Sequence, residues 1–218
     1  MLRLGFQHLF PPIRHVLCLG AHCDDIEIGC GGTVLKIAKE PNPPEFTWVV
    51  FTSDATREAE AFRSAQIFLQ HAASARIIVK KFRDGFLPYE GGVVKDFFNE
   101  LKGMVAPDLV LTHYRHDLHQ DHRLVSELTW NTFRDHLILE YEIPKYDGDL
   151  GTPNVFVPLS ESECREKIDT ILTTFVSQTD NRWFTDDVFR SLLRLRGMEC
   201  HAASNYAEAF HCRKLLVG

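Results

Sequence analysis

Short apolar, β-branched runs alternate along the first part of the chain with longer segments whose apolar positions recur at helical spacing. Residues 15–20 (HVLCLG) end in a polar, glycine-containing stretch, as a strand buried on both faces does. Residues 45–52 (EFTWVVFT) are rich in aromatic and β-branched side chains, and 75–80 (ARIIVK), 108–112 (DLVLT, entered through Pro107) and 137–141 continue the series. The segments 31–39, 58–70, 93–104 and 123–135 between them predict helices; in the second, Phe62, Ala65, Ile67 and Leu69 carry the helical spacing. Further on, 144–153 predicts a long loop with Gly148 and Gly151, 154–159 a strand, and 161–178 and 186–196 helices, the former N-capped by Ser160.

Strands alternating with helices predict right-handed crossovers and an α/β fold: a Rossmann-like, mostly parallel sheet flanked by helices on both faces, as a single domain over 1–218. In such sheets ligands bind outside the carboxyl ends of the strands. The polar clusters after Gly20, Thr52, Lys80 and Thr112 are therefore expected to meet in one crevice.

Composition narrows the classes. The chain has 218 residues, 44% hydrophobic and 25% charged, and a net charge of −6, which argues against a nucleic-acid partner because phosphate binding needs clustered positive charge. No apolar run approaches the ~20 residues of a membrane span. Pro11 and Pro12 break the N-terminal stretch MLRLGFQHLFPPIRH, so a secretory signal is not expected and a cytoplasmic protein is. The six cysteines form no C-x-x-C pair and read as reduced, mostly structural thiols. Sixteen phenylalanines imply a large aromatic core or some exposed aromatic surface. Trp183 and Phe184 lie in a polar stretch and read as packing residues, a sugar-stacking wall being the alternative.

Two clusters carry chemistry. Directly after the first strand, Ala21-His22-Cys23-Asp24-Asp25 spaces a histidine and a carboxylate so that both can grip one metal, leaving Asp24 free as a general base toward a water activated by that metal. An aspartate capping a turn or the next helix is the plainer alternative. After the fourth strand, Tyr114–His122 contains His116, His119 and His122 besides His113. A hydrolytic zinc site has three protein ligands and an open position, so one histidine from this segment would complete the pair, and a second could act as an oriented acid or electrophile beside Asp121. His113 and His116 read as loop or supporting groups. Gly29-Cys30-Gly31-Gly32 lacks the spacing of a phosphate-binding loop and is expected to permit tight chain reversal and close approach beside the metal.

The stretches AHCDDIEIGCGG (21–32) and HQDH (119–122) resemble the zinc-dependent de-N-acetylases of the LmbE/PIG-L type, whose motifs are Ala-His-Pro-Asp-Asp and His-Pro-Asp-His. Arg57-x-x-Glu60, Asp84-Gly85-Phe86-Leu87 and Tyr206–Phe210 add to the resemblance, which spans most of the chain but is vague over 140–200. It implies a deacetylase that uses Zn2+, with Fe2+ or another divalent ion as a substitute, to hydrolyse the N-acetyl group of an N-acetylglucosamine-type conjugate. The implied ligands are His22, Asp25 and His122. Asp24 would be the general base, and His119, oriented by Asp121, would stabilise the oxyanion. Arg57, Asp84 and Asp117 are candidates for substrate binding. Cys23 and Gln120 replace the family's prolines, which bears on loop rigidity; Cys23 reads as a packing residue, with a spare soft ligand or an oxidation-sensitive thiol as alternatives. The rival readings are a non-catalytic nucleotide-sugar-binding module and a metal amidohydrolase acting on a non-sugar acyl amine. A small-molecule partner is expected, and a homo-oligomer is left open.

Overall fold

The computed structural model describes residues 5–6 and 12–216. Most of the N-terminal stretch read above for a secretory signal lies outside them. The elements run β1 (His15–Gly20), α1 (Asp25–Ala38), β2 (Glu45–Thr52), α2 (Ala55–Phe68), β3 (Ser74–Phe82), α3 (Gly91–Met104), β4 (Leu109–His113), α4 (Gln120–Thr132), β5 (Leu137–Tyr141), β6 (Val155–Leu159), α5 (Glu161–Thr174), α6 (Asp186–Glu199) and β7 (Tyr206–His211), with single 3-10 turns at Leu87–Glu90 and Val176–Gln178. They build a seven-stranded sheet of order β3-β2-β1-β4-β5-β7-β6. The first five strands in that order pair in parallel, and β7 is antiparallel to both β5 and β6. The α/β expectation therefore holds.

Alternation along the buried strands splits the core. Val16 and Cys18 with Phe46, Trp48 and Val50 face a layer that includes residues of α1, α2, α5 and α6; Leu17 and Leu19 with Val49 and Phe51 face α3 and α4. Phe184 is buried and packs edge to face on Trp183 and Phe189, so these aromatics are packing residues. Ser160 caps α5 through a capping box with Glu163.

Two expectations need correction. Helix α1 begins at Asp25, six residues before the predicted start, so Gly29, Gly31 and Gly32 lie inside a helix and not in a chain reversal. They are there for space: a Cβ on Gly29 would stand 2.1 Å from the Tyr141 ring, one on Gly31 2.7 Å from Phe68, and one on Gly32 2.4 Å from Leu159. The second correction is β7, which was not assigned as a strand. Its buried position Glu208 interrupts the apolar pattern because that carboxylate accepts bonds from the Gly32 and Thr33 amides and pairs with Lys167. Lys167 in turn donates to the Ile28 carbonyl at 2.7 Å. A buried ion pair from α5 and β7 thus enters α1 at the Ile28–Gly32 step of its ladder.

Gly29→Ala is expected to cost about 1–3 kcal/mol or more through overpacking against Tyr141. Gly92→Ala on α3, where a Cβ meets nothing within 4 Å, should be neutral or stabilise by up to about 1 kcal/mol. Urea unfolding of the two variants checks the contrast, and equal effects would contradict the packing account.

Candidate metal centre

Strand β1 lies where the strand order turns back, with β2 on one side and β4 on the other, which is the switch point at which α/β sheets open a crevice. The backbone of Ala21, just past β1, is held from both neighbours: its amide donates to His113 Nε2 at the end of β4 (2.9 Å), and its carbonyl accepts from the Thr52 amide and hydroxyl at the end of β2. His22 follows at a fixed place. Asp25 opens α1 and turns its carboxylate back to accept from the His22 amide at 2.6 Å.

The second cluster arrives from β4. His119 N-caps α4, its Nδ1 accepting from the Asp121 amide at 3.2 Å, and His122 lies one turn into the helix. The two clusters meet. His22 Nδ1 is 3.0 Å from His122 Nε2 and 3.2 Å from Asp25 Oδ2, and His122 Nε2 is 3.4 Å from Asp25 Oδ1. Donors about 2.0–2.1 Å from a tetrahedral ion stand roughly 3.3 Å apart. The second nitrogens settle the tautomers. His122 Nδ1 lies 2.9 Å from the buried Asp117 carboxylate, and His22 Nε2 faces Asp84 Oδ1 at 3.1 Å and Asp121 Oδ2 at 3.4 Å. With both protons turned outward, two imidazole lone pairs and a carboxylate converge on one point. That arrangement is repulsive without a cation at its centre, so the residues fit a divalent metal. The His119 ring nitrogens complete a His22–His119–His122 donor set whose atoms lie within 4.8 Å of one another.

The field agrees with this geometry. Burial alone would lower the His22 and His122 pKa values, yet Asp25 and the neighbouring carboxylates raise both. Asp25 is held well below the usual carboxylate range, against burial, by His122, His113 and His22. Asp24 behaves oppositely: burial and the adjacent Asp25 charge raise it, and Arg57 opposes them. His113 is brought down to about 4 by burial and by His122, on which it stacks with ring centres 3.9 Å apart.

Each expected residue now has a place. Arg57, opening α2, reaches Asp84 at 3.0 Å and Asp24 at 3.4 Å, so the clusters after β1, β2 and β3 share the crevice with those after β4. Asp84 is exposed and brought down to about 2, through its hydrogen bond to His22 foremost. Asp117, a candidate for lining the pocket or shaping the turn, is 2% exposed behind His122, accepting also from the His119 amide at 2.8 Å and from Lys145 at 2.9 Å. Asp121 was expected to orient His119 through its carboxylate. That carboxylate is fully buried and accepts from the Gly85 and Leu87 amides at 2.7 and 3.1 Å; the contact to His119 comes from the Asp121 backbone amide. Cys23 is a packing residue whose thiol donates to the Thr52 carbonyl, with burial pushing its pKa up. His116 is exposed and lies against Tyr114. Lys145 went unnoticed, since its loop carries no pattern that marks one lysine.

An α/β sheet with a His–Asp cluster able to hold a metal at its switch point is the class this geometry defines. The chain belongs to the PIG-L family: the family profile, described as GlcNAc-PI de-N-acetylase, matches residues 17–133. The fold is also similar to three solved structures. N,N'-diacetylchitobiose deacetylase from Pyrococcus horikoshii is 23% identical, with TM-score 0.72, over 95% of this chain and 86% of that one. GalB, the 4-carboxy-2-hydroxymuconate hydratase from Pseudomonas putida KT2440, is 15% identical, with TM-score 0.74, over 94% and 98%. The A40926 pseudoaglycone deacetylase is 16% identical, with TM-score 0.67, over 93% and 98%.

Asp121→Ala should free the segment it clamps, leaving two buried amides without an acceptor at about 1–3 kcal/mol each. Amide exchange at Gly85 and Leu87 is expected to accelerate at least ~10-fold while the β1 and β4 amides keep their protection. Unchanged exchange at those two amides would remove the clamp.

Proposed function

We propose that this protein is a zinc-dependent hydrolase that removes the N-acetyl group from an N-acetylglucosamine-type sugar conjugate, with His22, Asp25 and His122 holding the ion. The observation that carries the reading is the position of Asp24. Its carboxylate contacts Arg57, lies close enough to Asp25 and His22 to feel their charge, and belongs to none of the candidate ligand groups. Family membership and the two deacetylases among the similar folds support the reaction class. When bound, a divalent ion lowers the pKa of a ligated water from 15.7 toward ~7 and polarises an amide carbonyl.

The chain's own residues do the rest. Asp24, buried and with its pKa raised, is a stronger base than an exposed carboxylate and takes a proton from the attacking water. Arg57 contacts that carboxylate at 3.4 Å and favours its ionised form, opposing the burial effect. Burial, with His122 and His22 beside it, lowers the His119 pKa and so favours the neutral ring. Because its Nδ1 accepts from the Asp121 amide, the ring proton sits on Nε2, available to the oxygen on which negative charge develops. The water oxygen bonds to the acetyl carbon, the C–N bond breaks, and the amine nitrogen gains the proton that Asp24 took. Acetate and a free amino sugar leave. Asp84, exposed at the lip with Oδ2 on Arg57, is positioned for sugar hydroxyls. No helix among the described residues is long and apolar enough to cross a membrane; the substrate proposed is a small conjugate in the cytoplasm.

Asp24→Asn is expected to retain near-stoichiometric zinc while losing at least ~100-fold in turnover, whereas His22→Ala should lose the metal. Metal analysis, together with acetate release from a panel of N-acetylglucosamine conjugates, checks both. Full turnover in Asp24→Asn would remove Asp24 from the mechanism, and acetate from non-sugar amides alone would replace the substrate class.

A further inference from the structure

The loop between β5 and β6 reaches back to the metal centre through one side chain. Lys145 is nearly buried, its side chain 10% exposed, and its Nζ lies 2.9 Å from Asp117 Oδ2. That same oxygen faces His122 Nδ1 at 2.9 Å, while Asp117 Oδ1 accepts from the His119 amide. Lys145 is held in its turn by Asp149, whose Oδ2 it shares with the Leu118 amide.

We infer that Lys145 is a positioning residue for the metal, acting through Asp117 on His122, an inference that rests on reading the centre as a zinc site. The physical argument is geometric. An oxygen that accepts from both an ammonium and an imidazole N–H is fixed in direction, so the His122 ring cannot tip and its Nε2 lone pair stays aimed at His22 and Asp25. An apolar side chain at 145 leaves that oxygen one donor short and the buried carboxylate without its ammonium. Nothing about Lys145 requires contact with substrate.

The test is zinc affinity of the purified full-length chain, measured by competition with a chromophoric chelator, together with the visible spectrum of the cobalt(II)-substituted protein. Lys145→Met should weaken zinc binding about 10- to 100-fold and alter the cobalt spectrum, and Lys145→Arg should restore both to near wild type. Asp149→Asn breaks the loop staple but leaves Lys145 on Asp117, so it should lower the melting temperature while affinity stays within about threefold of wild type, and in an Asp117→Asn background Lys145→Met should add little. Should Lys145→Met not fold, Lys145→Ala reads the same quantity. Wild-type affinity in Lys145→Met, or an equal loss in Asp149→Asn, would overturn the inference while leaving the zinc reading intact. A wild-type protein that binds no divalent ion would instead defeat the zinc reading, and this inference with it.

Discussion

Two imidazole nitrogens 3.0 Å apart, with a carboxylate between them, constitute the constraint on which the rest of the site depends. In water such groups would drift apart or take up protons. Here they cannot drift apart, because the outer nitrogens already face Asp117, Asp84 and Asp121, and the raised pKa values of His22 and His122 show that the cluster favours positive charge. The folded chain therefore stores a demand for positive charge at one point. That demand explains why the surrounding histidines and aspartates depart so far, in opposite directions, from their ordinary titration behaviour.

Holding such a cluster together is a structural cost that the scaffold offsets by tying every approaching loop to another. The segment after β1 is pinned by Thr52 and His113, the segment after β3 by the Asp121 carboxylate, and the segment after β4 by Asp149 through the Leu118 amide. Each tie crosses between segments distant in sequence. Such ties let an α/β sheet, whose strand ends are otherwise open, hold the donors 3.0–3.4 Å from one another. The fold is shared with proteins described as deacetylases and as a hydratase, so the chemistry resides in these side chains and their protonation, and not in the sheet.

The strands β1, β2, β4 and β5 were legible because a strand buried on both faces must be nearly continuous in apolar residues, and these runs are; β3, at the sheet edge and nowhere fully buried, was legible from its Ile77–Val79 run. The start of α1 was not, since glycines mark turns in most contexts and only the Tyr141, Phe68 and Leu159 side chains reveal why they sit in a helix here. Strand β7 hid behind Glu208, a charge whose partners Lys167 and Gly32 lie 41 and 176 residues away. At the site, the residue types and the convergence of four clusters could be read from spacing and strand order. The roles of Asp117 and Asp121 could not, because which carboxylate faces which histidine depends on rotamers and on how the 84–87 segment folds over α4. Lys145 had no local signal at all.

The two departures from the family's motifs show how the loops keep their rigidity without proline. A proline stiffens a turn by fixing φ and removing an amide donor. Cys23, in its place after His22, instead donates its thiol to the Thr52 carbonyl, tying the β1 turn to the end of β2. Gln120 donates its side-chain amide to the Gly85 carbonyl at 3.2 Å, tying the start of α4 to the segment after β3. Both replacements trade a restriction on one residue's backbone for a bond to a neighbouring loop, and both bonds run toward the Arg57–Asp84 side of the crevice. The loops that carry His22 and His122 are thereby coupled to the loops that carry Arg57 and Asp84.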